Sequence, residues 1–345
     1  MITPWIEFML DREKIPPTRE NLDRFVLGRL RHTVAYCAES SNFYKDLFKG
    51  SPSIDSIDDF ENLPMTCAED VIDKPNFFLC VSQSEILRSY VVETLDGRSK
   101  QISFSLGELE HVTGAVASFF RSIGVVEGTR VGIVFPPEYE WGIPDLLTRA
   151  ARDCRADVQL IDQNDLDAQM SAIGSFQPNL IVGSAQQLFF LSALRQKAEA
   201  PSFLNGIVPC HGCVPYIFSE KAKRMVTESW GTKVYEHFGI TEMGFNVAVG
   251  CGRSEWLHLN EVDVYAEIVD PTTLETLGEG QKGELLLTSL SATSMPLIRY
   301  RTGYLATMAG PGCDCGDSLT RRLKISSYLG SDEDLLSQPL VFRPF

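Results

Sequence analysis

Near the amino terminus apolar positions fall four apart. Leu22, Val26, Leu30 and Val34, with Phe25 beside them, predict helix across 18–48. Residues 51–63 are turn-rich and acidic, and 61–71 (ENLPMTCAEDV) reads as a loop leading into a helix. The middle of the chain alternates. Short apolar runs at 130–135 (RVGIVF), 157–162 (DVQLID), 179–184 (NLIVGS), 205–209 (NGIVP) and 233–238 (KVYEHF) are separated by helix-compatible stretches. That rhythm predicts βα units and a largely parallel sheet. Ligands bind such sheets beyond the carboxyl ends of the strands, so the segments after Phe135, Pro209 and Phe238 are where chemistry is expected.

After about residue 250 the pattern changes. Runs at 256–259, 265–269, 284–289 and 297–300 are short and divided by turn signals such as Asp270-Pro271 and Gly278-Glu279-Gly280. They predict an antiparallel, β-barrel-like subdomain. The fold class expected is therefore α/β, with a helical region at 1–80, a parallel α/β core at 81–249 and the antiparallel subdomain at 250–325.

Charge and composition narrow the function. The net charge of −15 disfavours nucleic-acid partners, which need clustered Lys and Arg. No apolar run approaches the ~18 residues of a membrane span, and the first residues lack the basic stretch of a secretory signal. A cytoplasmic location, with no membrane partner, is the expectation. Nine cysteines spread over 345 residues suit reduced thiols, with or without a metal, better than a disulfide framework.

Three stretches carry a family likeness. Residues 234–244, VYEHFGITEMG, resemble the Tyr-Gly-x-Thr-Glu motif of adenylate-forming enzymes, with Phe238 in the Tyr place. Residues 283–305, GELLLTSLSATSMPLIRYRTGYL, are similar to the corresponding stretch of phenylacetate-CoA ligases, as is the entry region from Leu30 through Leu63-Pro64-Met65-Thr66. The resemblance implies the amino-terminal domain of an adenylate-forming enzyme. It implies a small aryl or acyl carboxylic acid as substrate, with ATP/AMP, Mg²⁺ and CoA as cofactors. In that chemistry a carboxylate attacks the α-phosphate of ATP, and CoA then takes the acyl group. Positioning and charge stabilisation do most of the work. Carried over residue by residue, Thr241 bonds the α-phosphate, Glu242 holds Mg²⁺ and Arg301 meets phosphate. Phe238 and Gly239 lie at the adenine, Gly212 in the His211-Gly212-Cys213 turn lets backbone approach it closely, and Gly97 belongs to the phosphate loop. Phe135, Tyr139, Trp141 and His237 are candidates for the acid pocket.

The chain departs from the family pattern in three places. The phosphate loop, rich in Ser, Thr and Gly in the family, is VVETLDGRSKQ here (91–101), with Gly97 and a basic residue, Arg98 or Lys100, remaining. Glu93 and Asp96 put negative charge there, and an acidic hairpin is the competing reading. Tyr304 stands where the family has an Asp for the ribose hydroxyls. Residues 325–336 resemble the hinge into a small carboxy-terminal domain, so 326–345 reads as a remnant of that hinge. The family's catalytic lysine lies beyond it, and weak CoA-thioester formation, or a protein partner supplying that domain, is expected. A non-catalytic ligand- or partner-binding descendant is the alternative.

One further set comes from residue types, and it resembles Cys/His and Cys-x-Cys-Gly elements carried by some phenylacetate-CoA ligase-like proteins in this region. Cys251, His258, Cys313 and Cys315 supply three thiolates and an imidazole, the composition of a closed structural Zn²⁺ site. The competing reading is that Cys251 and Cys313 are buried apolar fillers.

Overall fold

In the computed structural model, residues 2–94, 97–135, 140–161, 165–195, 201–211 and 218–329 are described. Two helices, α1 (Thr3–Arg12) and α2 (Arg19–Ser40), open the chain, followed by α3 (Asn42–Phe48), α4 (Ile57–Glu61) and α5 (Ala68–Asp73). The helix expected over 18–48 is thus two. Ser41 leaves the helical conformation, and its hydroxyl accepts from Tyr44 N–H to start α3. The acidic turn region holds α4, nucleated by a Ser56/Asp59 capping box.

Strands β1 (Ile86–Glu93) and β2 (Ser99–Ser105) form a separate antiparallel hairpin, and α6 (Leu106–Ser122) follows directly. Then come β3 (Arg130–Val134), α7 (Ile143–Asp153), β4 (Asp157–Ile161), α8 (Leu166–Phe176), β5 (Leu180–Ser184), α9 (Ala185–Arg195), β6 (Gly206–His211) and α10 (Glu220–Trp230). The predicted strand at 233–238 is split into β7 (Lys233–Val234) and β8 (His237–Phe238). The remaining strands are β9 (Ala248–Gly250), β10 (Leu257–Leu259), β11 (Val264–Val269), β12 (Lys282–Ser289), β13 (Tyr300–Ala309) and β14 (Arg322–Tyr328).

Among the described residues the main sheet runs β11-β12-β13-β14-β10-β9-β8-β6-β5-β3-β4, with β7 beside β6. From β8 to β4 neighbours are parallel, and from β9 onward antiparallel. No gap separates the two halves: β8 bonds β6 on one side and β9 on the other. Two sequence expectations are corrected by the strands. Residues 297–299 precede β13 rather than forming a strand, and 326–328, read as hinge, complete β14 between β13 and β10. Residues 330–345 lie outside the described ones.

Alternation along the parallel strands decides the layering. Val131, Ile133, Val182 and Val208 pack with α6 and α7, while Val134, Ile181 and Ile207 pack with α8, α9 and α10. Both sheet faces are therefore covered, as continuous apolar strands require. No helix among the described residues is long and apolar enough to cross a membrane.

The approach to β13 is held by a buried ion pair. Arg299 has φ 47° and reaches Glu267 with Nη2 at 2.7 Å and Nε at 3.0 Å, while Nη1 donates to the Leu63 carbonyl. Burial pushes the Glu267 carboxyl up to about 7, with Arg299 pulling the other way. Removing one partner leaves the other unpaired in the interior, so Arg299→Met is expected to lower unfolding free energy by about 3–5 kcal/mol in urea titrations. Arg299→Met/Glu267→Leu is expected to recover much of it. A single variant with the wild-type midpoint would contradict this.

Candidate nucleotide and metal sites

The site is built where the parallel half of the sheet meets the antiparallel half. β8 ends at Phe238, paired with His211 at the end of β6, and the chain then turns through a single turn of 3-10 helix, Thr241–Met243. Gly239 makes the turn possible. A Cβ on it would lie 1.6 Å from the Phe245 carbonyl oxygen, so no larger residue fits. Gly244, at φ 72°, closes the turn by donating to the Thr241 carbonyl. Thr241 and Glu242 are both buried.

Glu242 meets two residues from distant segments. The Lys100 ammonium donates to Glu242 Oε1, and Tyr300 OH lies 3.2 Å from the same oxygen. Lys100 also donates to Tyr300 OH at 2.9 Å. Arg301, next along β13, pairs instead with Glu284, its Nη2 2.6 Å and Nε 3.0 Å from Oε2. The motif turn, the β1–β2 hairpin and the start of β13 thus converge. The Leu63-to-Thr66 element joins them, since Thr66 N–H donates to Arg299 O and Arg301 N–H to Thr66 O.

Phe238 is fully buried under other aromatic side chains. Tyr304 meets it edge-on at 5.2 Å and meets Tyr328 edge-on at 4.9 Å, while His211 lies 5.4 Å from the Phe238 ring. Tyr304 therefore packs beside the adenine candidate. Gly97 has φ 80° within the hairpin turn, where Thr94 N–H donates to Arg98 O and Gly97 N–H to Thr94 O. These two amides are used inside the turn and are not presented as a phosphate cradle. Arg98 pairs with Glu69 at 3.2 Å.

Of the acid-pocket candidates, Phe135 is buried at the end of β3, and Trp141, at φ 64°, lies under the Arg149 guanidinium. His237 is buried, and burial together with the charge of His211 depresses its imidazole to about 4. It is neutral at physiological pH. Gly212, Cys213, Tyr139 and Asp96 lie outside the described residues.

The cysteine set comes together. Cys251 follows β9, His258 lies on β10, and Cys313 and Cys315 sit in the turn between β13 and β14. All four ligand atoms lie within 4.8 Å of one another. Zinc bonds of about 2.3 Å to sulfur and 2.0 Å to nitrogen at tetrahedral angles separate two sulfurs by roughly 3.8 Å and a sulfur and nitrogen by roughly 3.5 Å. Here Cys251 Sγ is 3.9 Å from Cys313 Sγ, and Cys315 Sγ is 3.5 Å from His258 Nε2. The outer contacts also suit a metal. His258 Nδ1 is 3.1 Å from Asp317 Oδ2 and 2.9 Å from Thr320 Oγ1, which leaves Nε2 for the cluster. Asp317 in turn accepts from Thr3 and Thr320. The sulfurs do not ionise together unaided. Burial, with Cys313 and Cys251 adding to it, pushes Cys315 up to about 12. A cation would offset that mutual repulsion.

Comparison with known proteins agrees with this architecture. The chain is 26% identical to the phenylacetate-coenzyme A ligase of Thermus thermophilus over 97% of its own length and 74% of the relative's. It is 25% identical to that of Pseudomonas putida (90% and 70%) and 24% to that of Escherichia coli (95% and 76%). The chain is phenylacetate-CoA ligase-like. The fold of this ligase-like chain is also that of 2-hydroxyisobutyryl-CoA ligase, solved in an open conformation with 2-HIB-AMP and CoA. There the TM-score is 0.80 at 21% identity, covering 90% of this chain and 76% of the other. The same ligase in its thioesterification state gives 0.79 at 22%, covering 89% and 68%. No family model matches the chain.

Lys100 and Tyr300 were missed as Glu242 partners. Lys100 had a signal, being one of two basic residues left in the loop. Tyr300 lay inside a recognised motif but reads as ordinary strand.

Proposed function

We propose that this chain acts as an AMP-forming acid–CoA ligase. It binds nucleotide at the 238–244 turn, joins a small carboxylic acid to AMP and passes the acyl group to CoA. The observation that carries the reading is the direct contact of three segments remote in sequence: Lys100 on β2, Glu242 in the motif turn and Tyr300 on β13. Glu242 follows Phe238 in the turn that leaves the carboxyl edge of the parallel strands, where an open α/β sheet binds its ligand. The relatives above are phenylacetate-CoA ligases by name and the fold neighbour described is 2-hydroxyisobutyryl-CoA ligase, which supports the same class.

The roles follow from the residue chemistry. The Thr241 hydroxyl donates to an α-phosphate oxygen as negative charge builds there, and Phe238 offers a π-face to adenine. Arg301, one residue past Tyr300, supplies a second cation once phosphate competes with Glu284. Adenylate formation is the step to measure, because it uses these residues. Pyrophosphate release with ATP and a panel of aryl and short acyl acids is expected, and Thr241→Val is expected to lower it about a hundredfold, the usual effect of removing one such donor. Failure to bind AMP at all would end the proposal. A second reading, a ligand-binding descendant without catalysis, is favoured by Tyr304 packing on Phe238. It predicts AMP binding without pyrophosphate release for any acid.

We further propose that Cys251, His258, Cys313 and Cys315 hold a structural Zn²⁺. Four protein ligands close the coordination shell, so the ion ties β9 and β10 to the β13–β14 turn rather than reacting.

A further inference from the structure

The family likeness makes Glu242 a Mg²⁺ ligand, and the residues around it do not fit one. Mg²⁺ demands near-octahedral oxygen ligands and keeps several of its waters. Glu242 Oε1 instead receives the Lys100 ammonium and the Tyr300 hydroxyl, and the side chains of Lys100 and Glu242 are 9% and 5% exposed. An ammonium bonded to the same oxygen occupies a coordination direction and repels an incoming cation. The fold of β2 holds that placement. Lys100 points inward on β2 between the exposed Ser99 and Gln101, and a lysine is buried stably only when paired. Glu242 is the carboxylate that it meets.

Two neighbouring cations are also paired with acids: Arg98 with Glu69 and Arg301 with Glu284, as Lys100 is with Glu242. No carboxylate in this trio is left for a divalent ion. We propose that Lys100 is a tethered cation standing at Glu242 in place of the divalent ion, so that nucleotide phosphate is met here by protein ammonium and guanidinium groups without a metal on Glu242. The inference rests on reading the 238–244 turn as a nucleotide site.

Mn²⁺, a paramagnetic stand-in for Mg²⁺, gives the test. Its bound equivalents are counted by electron paramagnetic resonance in the presence of a fluorescent AMP analogue, whose binding is read in the same samples. Wild type is expected to hold no Mn²⁺ beyond what the neutral double variant Lys100→Met/Glu242→Gln holds. Lys100→Met, which frees the carboxylate, is expected to gain one equivalent. A wild-type Mn²⁺ that the double variant lacks would overturn the proposal, and so would a folded Lys100→Met that gains none. If Lys100→Met does not fold, the comparison of wild type with the double variant decides alone. Absence of AMP binding in every sample would sink the nucleotide reading, while the Mn²⁺ counts still judge the role of Lys100.

Discussion

Alanine at position 239 is expected to destroy nucleotide binding and to cost at least about 3 kcal/mol of stability, at or above the usual range for overpacking. The added Cβ would sit 1.6 Å from the Phe245 carbonyl oxygen and 2.2 Å from its carbon. That is overlap with backbone, so no rotamer relieves it. Nor is Phe245 free to retreat. It holds φ 65°, its N–H donates to the Ile240 carbonyl, and its ring packs against Tyr90 at 5.0 Å and Phe104 at 5.8 Å. Relief has to come from unwinding 239–245, which carries Thr241 and Glu242. Urea denaturation and fluorescent-AMP titration measure the two effects. A variant within about 1 kcal/mol of wild type, the ordinary range for a point substitution, would show that the turn is more pliant than this geometry implies.

Removing zinc is expected to have the second large effect. Protein purified without chelator is expected to carry one zinc per chain. A ligand that binds only the folded state adds about 4 kcal/mol when present a thousandfold above its Kd. For a chain of this size that corresponds to a fall in melting temperature of roughly five degrees on chelation. Cys313→Ser is expected to reproduce the fall and to lose the metal. The effect is local in origin but reaches far, because Asp317, which orients His258, also accepts from Thr3 on the first helix. Less than about a tenth of an equivalent of zinc, far below what a closed four-ligand site retains, with melting unchanged by chelator, would leave the cysteines as plain buried side chains.

Much of the sheet could be read from one-dimensional pattern. Runs such as RVGIVF and NLIVGS have no polar face, which marks strands covered on both sides, and both became central parallel strands. Three of the four runs read after residue 250 lie within two residues of β10, β11 and β12, while that at 297–300 reaches only the first residue of β13. Errors fell where pattern does not carry the information. Ser41 breaks a helix whose apolar spacing continues through it, because its cap is a local competitor of the helix. The end of β14, residues 326–328, was read as hinge because only the neighbouring β13 makes it a strand.

By itself, the sequence determined the kind of layers in this protein, the motif turn and the composition of its candidate metal-binding set. Those are properties of local spacing and of side-chain chemistry. Tertiary structure alone decided which charges meet. That Lys100 rather than a free carboxylate faces the motif turn, that Arg301 is held by Glu284, and that Cys251 lies 3.9 Å from Cys313 all depend on contacts between residues far apart in the chain. The physical reason is that a buried charge or thiolate is stable only with a partner, and the fold, not the spacing along the chain, sets which partner lies within reach.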